Sequence, residues 1–347
     1  MSQKLQKFLV MQTAFIGDVI LATAVIEKIH AAFPEATIDF LLRKGNEGLL
    51  KGHPYLGKVY VFDKKGGKFK EMKRLIGEVR KERYDKVINL QRFFSSGFIC
   101  AASGAKETIG YKKNPMSWAF SSKKDHVFSE VGDENILHEV GRNQALIADF
   151  TDPQAVRPKL YPTVENFQKV ATYTAEPFVC MAPTSVWFTK QFPASRWVSL
   201  IDALPESLKI YILGAPADKA VCQQIIDQTK RKNALNLAGE LNLLDSAALM
   251  SKSQLNYVND SAPMHLASAV NAPTVAIYCS TVPAFGYGPL AEFSKVVEVR
   301  KPLACRPCGI HGHRNCPKKH FDCGHKINMD TLVDAYTEAV AFQQKNR

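Results

Sequence analysis

No apolar run in this sequence approaches the roughly 20 residues needed to cross a bilayer, which argues against a membrane-spanning protein. Glycine is scarce where a dinucleotide would need it. The turn Thr13-Ala14-Phe15-Ile16-Gly17-Asp18 holds a single glycine, so the three-glycine fingerprint is missing and a nicotinamide cofactor is disfavoured. No Asp-x-Asp pair is present to hold a divalent ion. No similarity at a short period is visible, which excludes a solenoid. The opening residues MSQKLQKFLV run straight into a polar turn, so a cleaved signal peptide is not expected. The chain is expected in the cytoplasm, with its 8 cysteines reduced.

Acidic residues are also in short supply, 33 against 45 Lys and Arg, a formal net charge of +12. The imbalance is local. From Arg43 to Lys113 there are 18 Lys and Arg against 7 Asp and Glu. Such a patch attracts nucleic acid, anionic headgroups or a polyanionic small substrate, and charge alone does not choose among them. Much of it also suits a solvated helix face, since KFKEMKRLIGEVRKERYDK mixes acids with bases at helical spacing.

What is present is an alternation of β-like and α-like segments. Lys7–Gln12 reads as a buried strand, followed by a helix from about Val19 to Phe33. Further apolar runs at 37–42, 58–62 and 86–90 alternate with helical patterns, notably 69–83, which predicts a parallel sheet covered on both faces. Residues 91–110 read as loop plus short helix. Four prolines between 151 and 177 (Pro153, Pro158, Pro162, Pro177) suggest an interdomain connection. A second βα series begins at Phe178. At 347 residues the chain is long enough for two cores.

The second series centres on Gln254–Thr281, in which strand, polar turn, helix and strand follow in order. Asp260 or Ser261 can cap the helix, and Pro263 falls in its first turn at no hydrogen-bond cost. Such a helix start favours an anion. Asp260 is then either a plain cap or part of an anion site, and His265 either a surface residue or a partner in that site. Asp18 has the same two readings: complement to a helix dipole, or a functional acid. Near the end, Cys305 and Cys308 form a CxxC pair. Cys316, Cys323 and four histidines follow. The set suits zinc, but the later spacings of seven and six residues match no named zinc pattern, and a loop of reduced thiols is the other reading. An apolar-faced helix over 329–344 closes the chain.

Four motifs in register, TAFIGDVILATAV, APTSVWFTKQFPASRW, GAPAD and NDSAPMHLASAVNAPTVAIYCST, resemble the heptosyltransferase family, glycosyltransferase family 9. The resemblance implies an α/β fold of GT-B architecture, two Rossmann-like domains facing across a cleft. The implied division is 1–160 for the acceptor, a linker at 161–177, 178–328 for the nucleotide sugar, and a helix at 329–347 returning to the first domain. The implied reaction is inverting transfer of L-glycero-D-manno-heptose from ADP-heptose to the inner core of lipopolysaccharide.

Under that resemblance Asp18 matches the family's base and Lys190 its diphosphate cation. Thr184, Ser185, Asp218, Leu241, Asp260, Ser261, Ala262, Met264 and His265 fall at donor positions. Thr13, Ala14, Gly17, Arg92, Lys112 and Lys113 fall on the acceptor side, the basic ones steering an anionic core. No cofactor is then required, and magnesium is at most a stimulant. A monomer is expected, with a peripheral contact to the inner face of the cytoplasmic membrane. Asp218 is shorter than the family's glutamate, and Ala262 replaces a glycine. Both touch the donor, so the alternative is the same fold with another nucleotide sugar or acceptor. A basic nucleic-acid-binding protein is the alternative from a different class. The interleaved acids and the lack of a zinc-finger helix after the cysteines speak against it.

Overall fold

The computed structural model describes residues 6–129, 133 and 135–346. It resolves into two compact units. The first takes in the described residues up to Phe128 together with Leu137–Tyr161, and the second includes everything described from Pro162 onward. Among the described residues no helix is long and apolar enough to cross a membrane.

The first unit holds strands β1 (Lys7–Gln12), β2 (Thr37–Arg43), β3 (Leu56–Phe62), β4 (Lys86–Asn89), β5 (Glu107–Tyr111) and β6 (Ser122–Lys124). Its helices are α1 (Ile16–Ala32), α2 (Lys68–Glu82), α3 (Phe94–Ala101) and α4 (Glu139–Ala145). The second unit holds β7 (Phe178–Ala182), β8 (Lys209–Ile212), β9 (Ala234–Asn236), β10 (Leu255–Asn259), β11 (Thr274–Tyr278) and β12 (Ser294–Glu298). Its helices are α5 (Val164–Val170), α6 (Ala194–Ala203), α7 (Lys219–Gln228), α8 (Leu243–Lys252), α9 (Ala262–Ala269), α10 (Asp322–His325) and α11 (Met329–Lys345).

Both sheets are parallel throughout and share one strand order. The first runs β3-β2-β1-β4-β5-β6, and the second, read in the same sense, β9-β8-β7-β10-β11-β12. This is the doubly wound Rossmann order. Its switch point, between β1 and β4 or between β7 and β10, opens a crevice at the strands' carboxyl ends. Each unit is therefore a Rossmann-like α/β domain.

The central strands read as unbroken apolar runs because helices cover them on both faces. Strands β7, β10 and β11 are buried at every residue. Helix α1 is buried from Val19 to Ile29, as a helix apolar on all sides must be. Helix α2 instead shows one face: Met72, Leu75 and Val79 join the first core with Leu9, Met11 and Phe62. Each such side chain contributes about 1.5–3 kcal/mol on burial. The lysines between them face outward, so much of the local positive charge is a solvated helix face.

Four differences from the sequence reading stand out. Strand β5 lies within and just beyond the stretch read as loop and short helix, and β6 (Ser-Lys-Lys) has no apolar residue to announce it. In place of a continuous linker, α5 packs on α8, with Asn166 Nδ2 donating to Asp245 Oδ1 at 2.7 Å and the Lys169 ammonium 2.6 Å from the same carboxylate. The terminal helix α11 belongs to the second unit, where the resemblance implied a return to the first. Its Leu332, Ala335 and Ala339 are buried in the second core, and Tyr257 Oη donates to Leu332 O at 2.9 Å. Strand β12 also went unread, being half-exposed, with Ser294 and Lys295 at one end and Glu298 at the other.

Candidate active site

In the first unit, the turn after β1 lies at the switch point. Gln12 Oε1 accepts from the Ala14 amide at 3.2 Å and from Gln91 Nε2, fastening the ends of β1 and β4 together. Lys64 Nζ donates to Thr13 O at 2.7 Å and Asn46 Nδ2 to Ala14 O at 3.2 Å. Both turn carbonyls are thus held from outside. Asp18, third residue of α1, accepts from the Phe15 amide at 3.2 Å, half of a capping box. Gly17 is the second residue of that helix.

The Asp18 carboxyl is pushed up to about 6. Burial is the main cause and the Glu139 carboxylate the next; the Phe15 amide, its own amide and the Arg92 charge oppose them. Glu139 is itself buried on α4, which packs on α1. Arg142 Nη1 donates to it at 2.8 Å, and His126 Nε2 lies 3.1 Å from the same oxygen. Burial pushes Glu139 upward, but His126 and Arg142 outweigh it and hold the carboxylate below its ordinary value. An ionised neighbour of this kind makes Asp18 hold its proton more tightly.

Arg92 follows β4, its guanidinium 5.5 Å from the Phe128 ring centroid. Lys112 and Lys113 follow β5, one strand further out, and the Lys112 ammonium is 2.6 Å from Asp125. Lys64 is a residue the sequence reading passed over. Burial and the charges of Arg43 and Lys68 lower its basicity, and its ammonium sits against the turn itself.

In the second unit, Asn259 ends β10 and clasps the neighbouring strand end. Its Nδ2 donates to Pro183 O at 2.8 Å and its Oδ1 accepts from the Phe192 amide at 2.9 Å. Next to it the Lys190 ammonium is 2.7 Å from Asp260 Oδ2, which also accepts from Thr281 Oγ1 at 2.7 Å. Both charged side chains are largely buried. The arrangement aims a fixed cation at the switch point, and Asp260 orders the turn. Thr184 and Ser185 are half-buried between β7 and Lys190, where Gln191 Nε2 donates to Ser185 O at 2.7 Å.

Ser261 stands in the N-cap position of α9, but its hydroxyl turns back to Asn259 O at 3.4 Å and does not cap the helix. Ala262 opens the helix. The Met264 amide donates to Ser261 O at 3.0 Å, and its side chain is fully buried, so Met264 is used internally. His265 is buried in the first turn. Asp218 Oδ2 accepts from the Ala215 amide at 2.8 Å and closes the turn after β8. Leu241 is half-buried in the connection from β9 to α8. The sequence-derived donor positions therefore lie along one sheet edge, from β10 through β7 and β8 to β9. At roughly 4.8 Å per strand this spans about 15 Å.

The late cysteines line a cavity of about 320 Å³ with His313, His320, Ser280 and Thr189, the last of which precedes Lys190. Burial pushes the Cys323 thiol up to about 11 and raises Cys308 as well. Among the described residues no three His, Cys, Asp or Glu side chains are grouped to hold a metal ion.

The glycosyltransferase family 9 (heptosyltransferase) model matches residues 72–318. The chain belongs to that family. It is thus a glycosyltransferase. A lipopolysaccharide heptosyltransferase 1 of Campylobacter coli is 21% identical over 312 residues, covering 86% of this chain and 90% of that protein. A lipopolysaccharide heptosyltransferase 3 of Escherichia coli K12 is 25% identical, covering 76% and 80%. Among solved structures, a family 9 protein of Veillonella parvula superposes with a TM-score of 0.81 at 20% identity, covering 98% of this chain and 99% of that one. The E. coli ADP-heptose lps heptosyltransferase II gives 0.78 at 19%, covering 98% and 100%. In this family 9 chain, Glu139, His126 and Lys64 support the candidate site without belonging to any motif that the sequence reading used, and Thr281, the last residue of the fourth motif, was not singled out.

Proposed function

We propose that this family 9 transferase moves L-glycero-D-manno-heptose from ADP-heptose to an inner-core hydroxyl of lipopolysaccharide, with inversion at the anomeric carbon. Asp18 takes the proton of the attacking hydroxyl as the carbon–oxygen bond forms. The sugar–phosphate bond breaks on the opposite face of the ring. Lys190, held by Asp260, neutralises the charge that grows on the leaving ADP. Thr184, Ser185, Ala262 and His265 receive the diphosphate, Asp218 the ribose and Leu241 the adenine. Thr13, Ala14, Gly17, Arg92, Lys112 and Lys113 receive the anionic acceptor, and Lys64 joins them. The observation that carries the reading is the pinned Lys190 ammonium at a Rossmann switch point, 2.7 Å from Asp260.

No step of this reaction passes through a metal, because a fixed ammonium does the neutralising. Magnesium accompanies the diphosphate as a stimulant, and the four thiols have no part. The work is assigned to a monomer on the cytoplasmic side of the membrane. The test is ADP release by purified protein given ADP-heptose and a heptose-deficient core acceptor, with the anomeric configuration of the product read by NMR. Release with ADP-heptose but not ADP-mannose supports the assignment. Preference for ADP-mannose transfers it to the alternative donor, and release with neither removes it.

A further inference from the structure

In the second unit the ion pair of Lys190 and Asp260 is braced by a loop that the transfer chemistry leaves unused. Between β12 and α10 the chain returns to the end of β11. Arg306 Nε donates to Cys279 O at 2.8 Å, and its Nη2 donates to Thr281 O at 2.7 Å and to Glu298 Oε2 at 2.6 Å. The Cys308 amide donates to Ser280 O at 2.8 Å. Thr281 is the residue whose hydroxyl donates to Asp260, so this attachment backs the acid of the pair.

A few residues further on, the loop reaches the lysine. The Thr189 amide donates to His313 O at 3.1 Å, and the His313 amide donates to Thr189 Oγ1 at 2.7 Å. Ser280 Oγ donates to the same hydroxyl at 3.0 Å, and the Ser280 amide to Thr189 O at 3.2 Å. Thr189, 1% exposed, is therefore clamped between the end of β11 and residues 311–313, and Lys190 comes next in the chain. Beside the clamp the Trp187 and His311 rings lie nearly parallel, 6.4 Å between centroids. Gly312 crosses the lysine stem. A Cβ there would stand 2.8 Å from Thr189 Oγ1, 3.0 Å from Ser280 Oγ and 3.2 Å from Lys190 Cγ, and its φ of +74° also favours glycine. Gly309 has a similar φ of +68°, but a Cβ there would meet nothing within 4 Å.

A lysine ammonium sits on a flexible stem, and it is a fixed charge only where that stem is held. Asp260 fixes the tip. The bare backbone of Gly312 lets the strap of residues 311–313 lie close enough to fix the root. We propose that Gly312 is a positioning residue: with Thr189 it holds the Lys190 stem so that the ammonium stays on Asp260, where, taking Lys190 as the diphosphate cation of the proposed transfer, the leaving group needs it. A preorganised charge of this kind acts without rearranging during the reaction, so a small displacement of the stem should be felt in the rate.

The experiment pairs turnover of ADP-heptose and core acceptor with the rate at which formaldehyde and a borane reductant dimethylate the Lys190 amine, read by peptide mass spectrometry on the full chain. Gly312→Ala should lower kcat about tenfold while KM for ADP-heptose changes less than about twofold. It should also speed methylation of Lys190, as the ion pair loosens. Gly309→Ala carries the same backbone strain and should leave both readouts at wild-type values. In a Lys190→Ala background, Gly312→Ala should add less than about a twofold loss, since a residue that acts through the lysine then has nothing to move. Thr189→Val removes the clamping hydroxyl and adds no bulk. It should shift kcat and methylation in the same directions by about threefold, and it carries the test if Gly312→Ala does not fold. Wild-type kcat and methylation in both variants overturn the proposal. So does an equal loss in Gly309→Ala, or a loss that multiplies fully on Lys190→Ala, either of which makes the loop a plain stability element. Full turnover by Lys190→Ala, with methylation still faster in Gly312→Ala, supports Gly312 as the residue that places the lysine and removes the lysine's assigned part in the transfer.

Discussion

The two switch points share a strand order and differ in charge design. At the end of β1 an acid sits beside a second carboxylate, and its proton affinity is raised to about 6. At the end of β10 an acid sits 2.7 Å from a lysine and below a threonine hydroxyl. One aspartate is left able to take a proton near neutrality, and the other serves to hold a cation still. The Rossmann order supplies the place, and a few side chains brought in from distant elements decide the chemistry done there. An account that treated Asp18 and Asp260 as equivalent helix-start acids would miss this division.

The largest effect expected is on the first member of the pair. Asp18→Asn should lower turnover about 10³-fold by removing the general base. In the wild type kcat/KM should rise with pH up to about 6 and then level, because the base works only when unprotonated. In Asp18→Asn that limb should vanish. A full-rate Asn variant, or one that keeps the limb, would break the contrast. Lys190→Ala comes next, with about a 10²-fold loss in turnover. It also leaves Asp260 buried without its cation, so the melting midpoint should fall. EDTA should lower wild-type turnover by no more than about twofold, since Lys190 supplies the positive charge.

The same contrast has a stability side with opposite signs. The folded chain raises Asp18 from an ordinary 3.8 to about 6, so it binds that proton more tightly than the unfolded chain does. Below about pH 4 both states are protonated and the group is neutral in its effect. As pH rises through the window from about 4 to about 6 the folded state loses stability, and above it the full cost remains. Asp18→Asn should therefore be more stable than the wild type at pH 7.5 by up to about 3 kcal/mol. The gap should close below pH 4. Urea unfolding at the two pH values measures it. No gain at pH 7.5 would mean that the burial of Asp18 carries no cost.

Much of this was legible in the sequence. Buried parallel strands such as β1 and β7 announce themselves as apolar runs, and the polar turns after β1, β7 and β10 stand out because they interrupt such runs. Asp18 and Lys190 could be named for that reason. Strand β6 could not, because three polar residues at a sheet edge carry no apolar signal. Helix α5 was hidden by the prolines on either side of it. Glu139 and His126 were invisible for a different reason: they come to Asp18 and to each other through folding, from segments with no motif of their own. The terminal helix α11 showed its apolar face clearly, but periodicity does not say which surface receives it, and the implied destination was the wrong unit.

The smallest effect expected tests that invisible layer. Glu139 contributes to the raised proton affinity of Asp18 from α4, and its own charge is kept by His126 and Arg142. Glu139→Gln removes the negative neighbour while keeping a side chain that still accepts from Arg142. The acid limb of kcat/KM should then move to lower pH, with the plateau rate little changed. The direction is what matters. Burial alone, which the substitution leaves in place, would hold the limb where it is, whereas a carboxylate neighbour must release it downward. A limb that stayed put would assign the whole shift to burial and make α4 a packing element with no say in the chemistry. A limb that moved upward would mean that Glu139 acts through the position of Arg92 rather than through its own charge.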